Sequence, residues 1–372
     1  MALTIPTTMD EVTPAWLTAA LREGGAIKNA TVTAIEKETI GVGVGILGDL
    51  ARMTMTYDRD EPGAPKTIVA KLPTQDPAGR GIAQMLGFYE KEARIYHELA
   101  DVLNTPCSYY SARDPEAVQY VILMEDVGAL RMGDQVAGAS VDDADLLIRE
   151  VANWHCQWWE SAELEALDWI PAPGAPQLKL AQTSAMMSIE PFLQNFGNRL
   201  DERQRGIVAA MAPRMMAMQD AFSDRPYTLC HGDLRLDNIF FGSVDGSRPL
   251  TLIDWQIAVK ARGAYDMAYF LSQSIDPKER KANEKDWLRY YYDTVMDGRG
   301  GYSWEECWHD YRAATLYCVA YPLVGGGSID LGNERGVELV GQMALRSLTA
   351  VTDLDADELL PLYEERSPII PA

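Results

Sequence analysis

A chain of 372 residues that is 47% apolar and 24% charged has material for two compact bodies and is too apolar to be largely disordered. Its 55 acidic against 33 basic side chains give a formal charge of −22, a surface that repels polyanions and so argues against nucleic-acid and anionic-membrane partners. Five scattered cysteines without any C-x-x-C pair exclude a zinc or redox motif and read as buried, reduced thiols of a cytoplasmic protein.

The first residues show neither the basic nor the apolar region of a secretory signal, and the longest uncharged apolar run, 313–323, is too short to cross a bilayer. Thr13 as N-cap and Pro14 at the first position open a helix that Gly24 and Gly25 close. Strand-like segments follow at 31–40, 50–57 and 67–72, rich in β-branched residues or alternating in polarity. The spacing of apolar residues predicts one helix over 82–103, and two further strands fall near 107–112 and 118–124. Beyond Gly128 the pattern turns helical: Ser140 caps a long helix, with others at 181–193, 201–222, 278–296, 304–319 and 334–351. Two short apolar strands, 238–241 and 250–254, interrupt them. The layout is bilobal, with a small sheet lobe over 1–126 and a larger, mainly helical lobe over 127–372.

The segment LCHGDLRLDNIFF (229–241), followed by LIDWQ (252–256), holds the densest chemistry. Moving a phosphoryl group needs a carboxylate beside the attacking hydroxyl, and oxygen ligands for a magnesium ion that offsets charge on the phosphates. Asp233 can serve as that carboxylate, with Asn238 and Asp254 as metal ligands. Upstream, 41–48 is glycine-rich, and Gly43-x-Gly45-x-x-Gly48 also matches a dinucleotide-binding fingerprint. That fingerprint requires a helix next, whereas 50–57 alternates like a strand.

HGDLRLDN and LIDWQ resemble the catalytic loop and metal-binding motif of the aminoglycoside phosphotransferase and choline kinase-type family, itself similar to protein kinases. The GAYDMAYF run at 263–270 is most similar to ecdysteroid kinase-like members, whose substrates are bulky alcohols. The resemblance implies an α+β, bilobal protein-kinase-like fold and transfer of phosphate from ATP with Mg2+ to a small-molecule alcohol, by a monomer or homodimer. By position in the motifs, Lys71 would contact the nucleotide phosphates and pair with Glu92, Glu90 being the second candidate. Gly43 and Gly45 would cover the phosphates, while Met124, Glu125 and Val127 would border the adenine. Asp266 is expected to cap its helix or anchor the catalytic loop, and His155 to be structural. An antibiotic phosphotransferase is one alternative; an inactive nucleotide-binding pseudokinase is another, although Lys71, Asp233, Asn238 and Asp254 are all present. The segments 183–196 and 317–331, with Met186, Met187, Ile189, Phe192, Phe196, Tyr317, Tyr321, Leu323 and Ile329 against few acids, are expected to wall a hydrophobic acceptor site.

Overall fold

Thr13 caps the first helix, α1 (Pro14–Glu23), by accepting the Trp16 amide at 3.2 Å, and Pro14 fills a position that needs no amide proton. The computed structural model describes residues 3–41, 48–328 and 332–369. After α1 come β1 (Val32–Ile40), β2 (Gly48–Tyr57), β3 (Thr67–Pro73), α2 (Pro77–Met85), α3 (Phe88–Glu98), β4 (Ser108–Asp114) and β5 (Gln119–Glu125). The strands form one antiparallel sheet in the order β1-β2-β3-β5-β4.

Alternation along the strands sorts residues between the two faces of this sheet. Ile68, Ala70 and Leu72 of β3, with Val121 and Leu123 of β5, pack into a core with Leu17 and Leu21 of α1. Val69, Ile122 and Met124 belong to the opposite core, with Phe88, Tyr89 and Tyr96 of α3. Lys71 shares the parity of Val69 and so faces α3. The expected single helix over 82–103 is two helices, because Gly87 adopts φ +68, a left-handed conformation that ends α2 and starts α3.

The later elements are β6 (Arg131–Met132), α4 (Val141–Trp158), α5 (Ala162–Ala166), α6 (Leu180–Phe196), α7 (Glu202–Met211), α8 (Met215–Phe222), β7 (Thr228–Cys230), β8 (Ile239–Phe241), β9 (Leu250–Leu252), β10 (Val259–Ala261), α9 (Ala264–Ser274), α10 (Pro277–Met296), α11 (Trp304–Cys318), α12 (Ala320–Ser328) and α13 (Glu334–Asp353). The helix expected over 201–222 is divided into α7 and α8 by a 3-10 turn, Ala212–Arg214, that contains Pro213.

By its internal contacts the chain divides into two compact units, Met1–Arg131 with Phe240–Ile257, and Met132–Ile239 with Ala258–Ala372. Against the sequence-based division after residue 126, the segment Phe240–Ile257 groups with the sheet. Two bonds within the first unit tie it there: the Leu252 amide donates to Asn104 O at 2.6 Å, and Arg248 donates to Thr105 O at 2.7 Å.

In the second unit, the fully buried Arg280 of α10 binds Glu284 at 2.6 Å and Asp353 of α13. Tyr311 of α11 donates to the same Glu284 at 2.9 Å, so one ionic group joins three helices. All five cysteines are free thiols; Cys230, Cys307 and Cys318 are buried as expected, but Cys107 is exposed. Among the described residues, no helix is long and apolar enough to cross a membrane.

Lys91 of α3 is 4% exposed, and among the described residues its ammonium has no hydrogen-bond partner. Burial pushes its pKa down to about 7 from 10.5. The unfolded chain therefore binds more protons than the folded one between those values, and folding stability rises with pH across that window. Replacing Lys91 by Met is expected to raise Tm at about pH 6, with the gain shrinking toward about pH 10. Thermal melts across that range check it; a Tm difference independent of pH would show that this ammonium is not the source.

Candidate active site

The first unit assembles one ammonium between two carboxylates. Lys71 Nζ lies 2.7 Å from Glu92 Oε1 on α3 and 3.3 Å from Asp254 Oδ1, in the loop after β9. Burial opposes the charge on Lys71, but Asp254 and Glu92 outweigh it and hold its pKa above the ordinary lysine value. Glu92 is pushed up to about 7, by burial first and then by the neighbouring Asp254, against the pull of Lys71. One ammonium faces two carboxylates, the buried Glu92 and the half-buried Asp254, so the cluster holds its protons tightly. Asp254 adopts φ +67, a left-handed conformation uncommon outside glycine that Asp tolerates better than most residues. It lies two residues beyond β9, not within the strand expected over 250–254.

The second unit builds a loop around Asp233. β7 pairs antiparallel with β10 and delivers the chain to His231, Gly232 and Asp233. Asp233 Oδ1 accepts from Tyr269 Oη at 2.5 Å, and Oδ2 accepts from Asn238 Nδ2 at 3.1 Å. Asn238 Nδ2 also donates to the Asp233 carbonyl at 2.9 Å, so the amide is oriented with its Oδ1 turned away from the carboxylate. Arg235 Nε stands 3.6 Å from Asp233 Oδ2.

Beneath the loop, Asp266 Oδ2 accepts the His231 amide at 2.7 Å and Oδ1 accepts the Gly232 amide at 3.0 Å. Asp266 is wholly buried at the start of α9 and anchors the loop. His155 Nε2 approaches Asp266 Oδ2 at 3.3 Å without hydrogen-bond alignment, and its Nδ1 pairs with Tyr291 Oη at 2.9 Å. Burial lowers the His155 pKa against the pull of Asp266, so the ring is neutral, a spacer and not an acid. His155, Cys230 and Asp266 place ligating atoms within 4.8 Å of one another. Both Asp266 oxygens are already committed to main-chain amides and His155 Nδ1 to Tyr291, so this trio serves as scaffold.

A second anchor was not legible in the sequence. The side-chain oxygen of buried Gln135 accepts the Leu236 amide at 2.8 Å and the Ser274 hydroxyl at 3.0 Å, while its main-chain N–H donates to Asp237 Oδ1 at 3.0 Å. Arg346 of α13 holds the Gln135 carbonyl at 2.7 Å. Glutamine in a loop carries no motif; only the bonds identify it. Tyr269 lies in the GAYDMAYF run and Tyr321 in the segment expected to wall the acceptor, but their bonds to the loop, Tyr269 to Asp233 and Tyr321 to Gly232 O at 3.2 Å, carried no sequence signal.

Lys71, Glu92 and Asp254 thus meet in the first unit, and Asp233 and Asn238 in the second. Gly43 and Gly45 lie outside the described residues. Met124 is buried opposite Val69, the Glu125 amide donates to Cys107 O at 2.9 Å, and the Val127 carbonyl accepts from Leu130 at 2.9 Å. The expected acceptor wall needs correcting. Phe192 and Phe196 are buried and stacked, and a side chain on Gly326 would strike both, so they pack α6 on α12. Leu323 is fully buried, and Ile329 lies outside the described residues. A cleft of about 580 Å3 in the first unit, lined by Ile5, Tyr96, Tyr109 and Arg113 among others, includes none of Lys71, Glu92 or Asp254.

The ecdysteroid kinase-like family model matches residues 43–299. No curated protein matches the sequence significantly. Among solved structures, a choline kinase of Cryptosporidium parvum has a TM-score of 0.54 over 88% of this chain and 93% of its own, at 9% identity. An ethanolamine kinase of Plasmodium vivax scores 0.50 over 89% and 85%, at 12% identity. A Ralstonia eutropha protein assigned as an aminoglycoside phosphotransferase scores 0.51 over 94% and 98%, at 16% identity. At such identities the likeness is one of fold: an α+β, protein-kinase-like fold, here with an antiparallel sheet unit and a mainly helical one.

Gly263, before α9, has no room for a side chain, since a Cβ there would collide with Tyr291 Oη and His155 Nδ1. Gly263→Ala is expected to cost about 1–3 kcal/mol of stability through forced displacement of that pair. Gly206, within α7, faces open space, and Gly206→Ala should add about 0.5–1 kcal/mol. Denaturant midpoints decide between them; equal effects of the two changes would refute the packing argument.

Proposed function

Since the chain belongs to the ecdysteroid kinase-like family, we propose that it transfers the γ-phosphoryl group of ATP to a hydroxyl of a small, hydrophobic molecule. The observation that carries this reading is the Asp233 carboxylate, held on one oxygen by Tyr269 and on the other by the Asn238 amide. A carboxylate so fixed orients an incoming hydroxyl and accepts its proton as the oxygen attacks the γ-phosphorus and the bond to the bridging oxygen of ADP breaks. In the first unit, the Lys71 ammonium binds nucleotide phosphate oxygens, and Glu92 fixes its position.

The donor set suits Mg2+, a hard cation that takes oxygen ligands. Within the first unit, Asp254 would offer such an ion a carboxylate; within the second, Asn238, whose amide nitrogen is committed to Asp233, would offer a carbonyl oxygen. Bound Mg2+ would offset the negative charge that develops on the phosphates.

The acceptor is read from the neighbours of Asp233. Among the described residues, the side chains at its carboxylate are Tyr269, Asn238 and Arg235, not the convergent carboxylates that a polycationic aminosugar would require. Completeness of the Lys71, Asp233, Asn238 and Asp254 set favours an active enzyme over a nucleotide-binding relic.

Asp233→Asn is expected to lower kcat roughly 10²- to 10⁴-fold while ATP affinity stays near that of the wild type. Coupled ADP release across hydrophobic alcohols, choline-like amines and aminoglycosides, with ATP titration calorimetry, tests both the residue and the acceptor class. Near-normal kcat in the variant, or turnover with aminoglycosides alone, would overturn the reading. Asp254→Ala should remove the dependence of ATP affinity on magnesium; an unchanged dependence in that variant would move the metal role to other residues.

A further inference from the structure

Asp266 and Tyr269 lie three residues apart on α9, one helical turn, and therefore point to the same side. Asp266 holds the main chain of the loop at His231 and Gly232. Tyr269 reaches the side chain of the next residue, Asp233, at 2.5 Å. Its ring is buried and lies edge-on to Tyr321 of α12, with centroids 4.5 Å apart. Tyr321 in turn donates to the Gly232 carbonyl at 3.2 Å and pairs with Tyr265 Oη. The phenol is thus fixed from two helices. Burial first, and the Asp233 charge second, raise its pKa well above the ordinary tyrosine value, so it acts as a donor and keeps its proton.

We infer that Tyr269 is a positioning residue: it fixes the rotamer of Asp233 so that one direction of the carboxylate is presented to the acceptor hydroxyl. The inference rests on the kinase reading above. A short hydrogen bond from a neutral donor to a carboxylate is charge-assisted and directional. With Oδ2 held by Asn238 and Oδ1 by Tyr269, rotation about the Asp233 side chain breaks at least one bond. The phenol touches neither the nucleotide nor the acceptor in this scheme; it acts only through Asp233. α9 becomes a two-point jig, with one residue for the loop backbone and one for the reacting side chain.

Tyr269→Phe removes the hydroxyl and keeps the ring on Tyr321. The expected result is a kcat lowered roughly 10- to 100-fold, as for misplacement of a reacting group by a fraction of an ångström, with KM for ATP and acceptor within about threefold. In an Asp233→Asn background the same change should cost less than about threefold, because the phenol has lost the partner it positions. A merely structural tyrosine would alter KM, or would give the same factor in both backgrounds, and either result overturns the inference. A measurement independent of turnover accompanies these. In the wild type, proton NMR should show a slowly exchanging downfield phenolic resonance that disappears in both Tyr269→Phe and Asp233→Ala. Absence of that resonance in the wild type overturns the inference whatever the activity. A wild type that shows the resonance but phosphorylates no acceptor overturns the kinase reading instead, and with it the positioning role.

Discussion

The loop that presents Asp233 depends on a buried carboxylate, Asp266. A carboxylate withdrawn from water must find hydrogen bonds to replace those it loses, and here main-chain amides of His231 and Gly232 supply them. Hydrogen bonds to a charged group contribute about 1.5–3 kcal/mol each, so the demand of Asp266 for donors is strong enough to dictate the path of the loop. A turn of this kind would otherwise leave two amides unsatisfied in the protein interior. His155, kept neutral, fills the space on the far side, and Gly263 supplies the room for His155 and Tyr291 to meet. Helix, histidine, glycine and loop are therefore one constraint expressed at four positions.

The first unit meets the opposite problem. There the charges are in excess, with Glu92 and Asp254 sharing Lys71. A lysine on a strand edge would be worth little, as surface pairs are; placed on the inner face of β3 by the alternation of that strand, it becomes the shared cationic partner of two carboxylates drawn from 21 residues and 183 residues away. Burial first, and then the surplus negative charge beside it, raise the proton affinity of Glu92, to about 7. On the proposed reading, a nucleotide carried with a divalent ion would relieve that surplus.

Local chemistry and local geometry were read from the sequence unevenly, for definite reasons. Lys71, Glu92, Asp233, Asn238 and Asp254 sit in short strings whose order is diagnostic, and parity alone puts Lys71 on the face of α3. The sheet followed from alternation, and α1 from Thr13 and Pro14. The split of the helix at Gly87 was missed because apolar spacing continues smoothly through a glycine whose left-handed φ the sequence does not display. An apolar stripe such as that of Phe192 and Phe196 reads the same whether it faces a ligand or another helix; Gly326, which lets α12 approach them, is what distinguishes the two. Gln135, Tyr269 and Tyr321 act through single bonds to residues 101, 36 and 89 positions away, and no periodicity encodes contacts at such separations.

The charge of −22 attracts polycations at long range, yet it bears little on the acceptor. Surface charges are screened beyond about 8–10 Å at physiological salt, so they affect encounter more than the bound state. On the proposed reading, the partners of an acceptor are the groups within hydrogen-bond reach of Asp233, where the Arg235 guanidinium stands 3.6 Å from the carboxylate. An ammonium brought there would compete with a cation already facing Asp233, whereas an alcohol on an apolar body would use the carboxylate as an acceptor and the tyrosine ring as a contact for carbon. The long-range field and the short-range site thus favour different ligands, and transfer of a phosphoryl group is decided at short range.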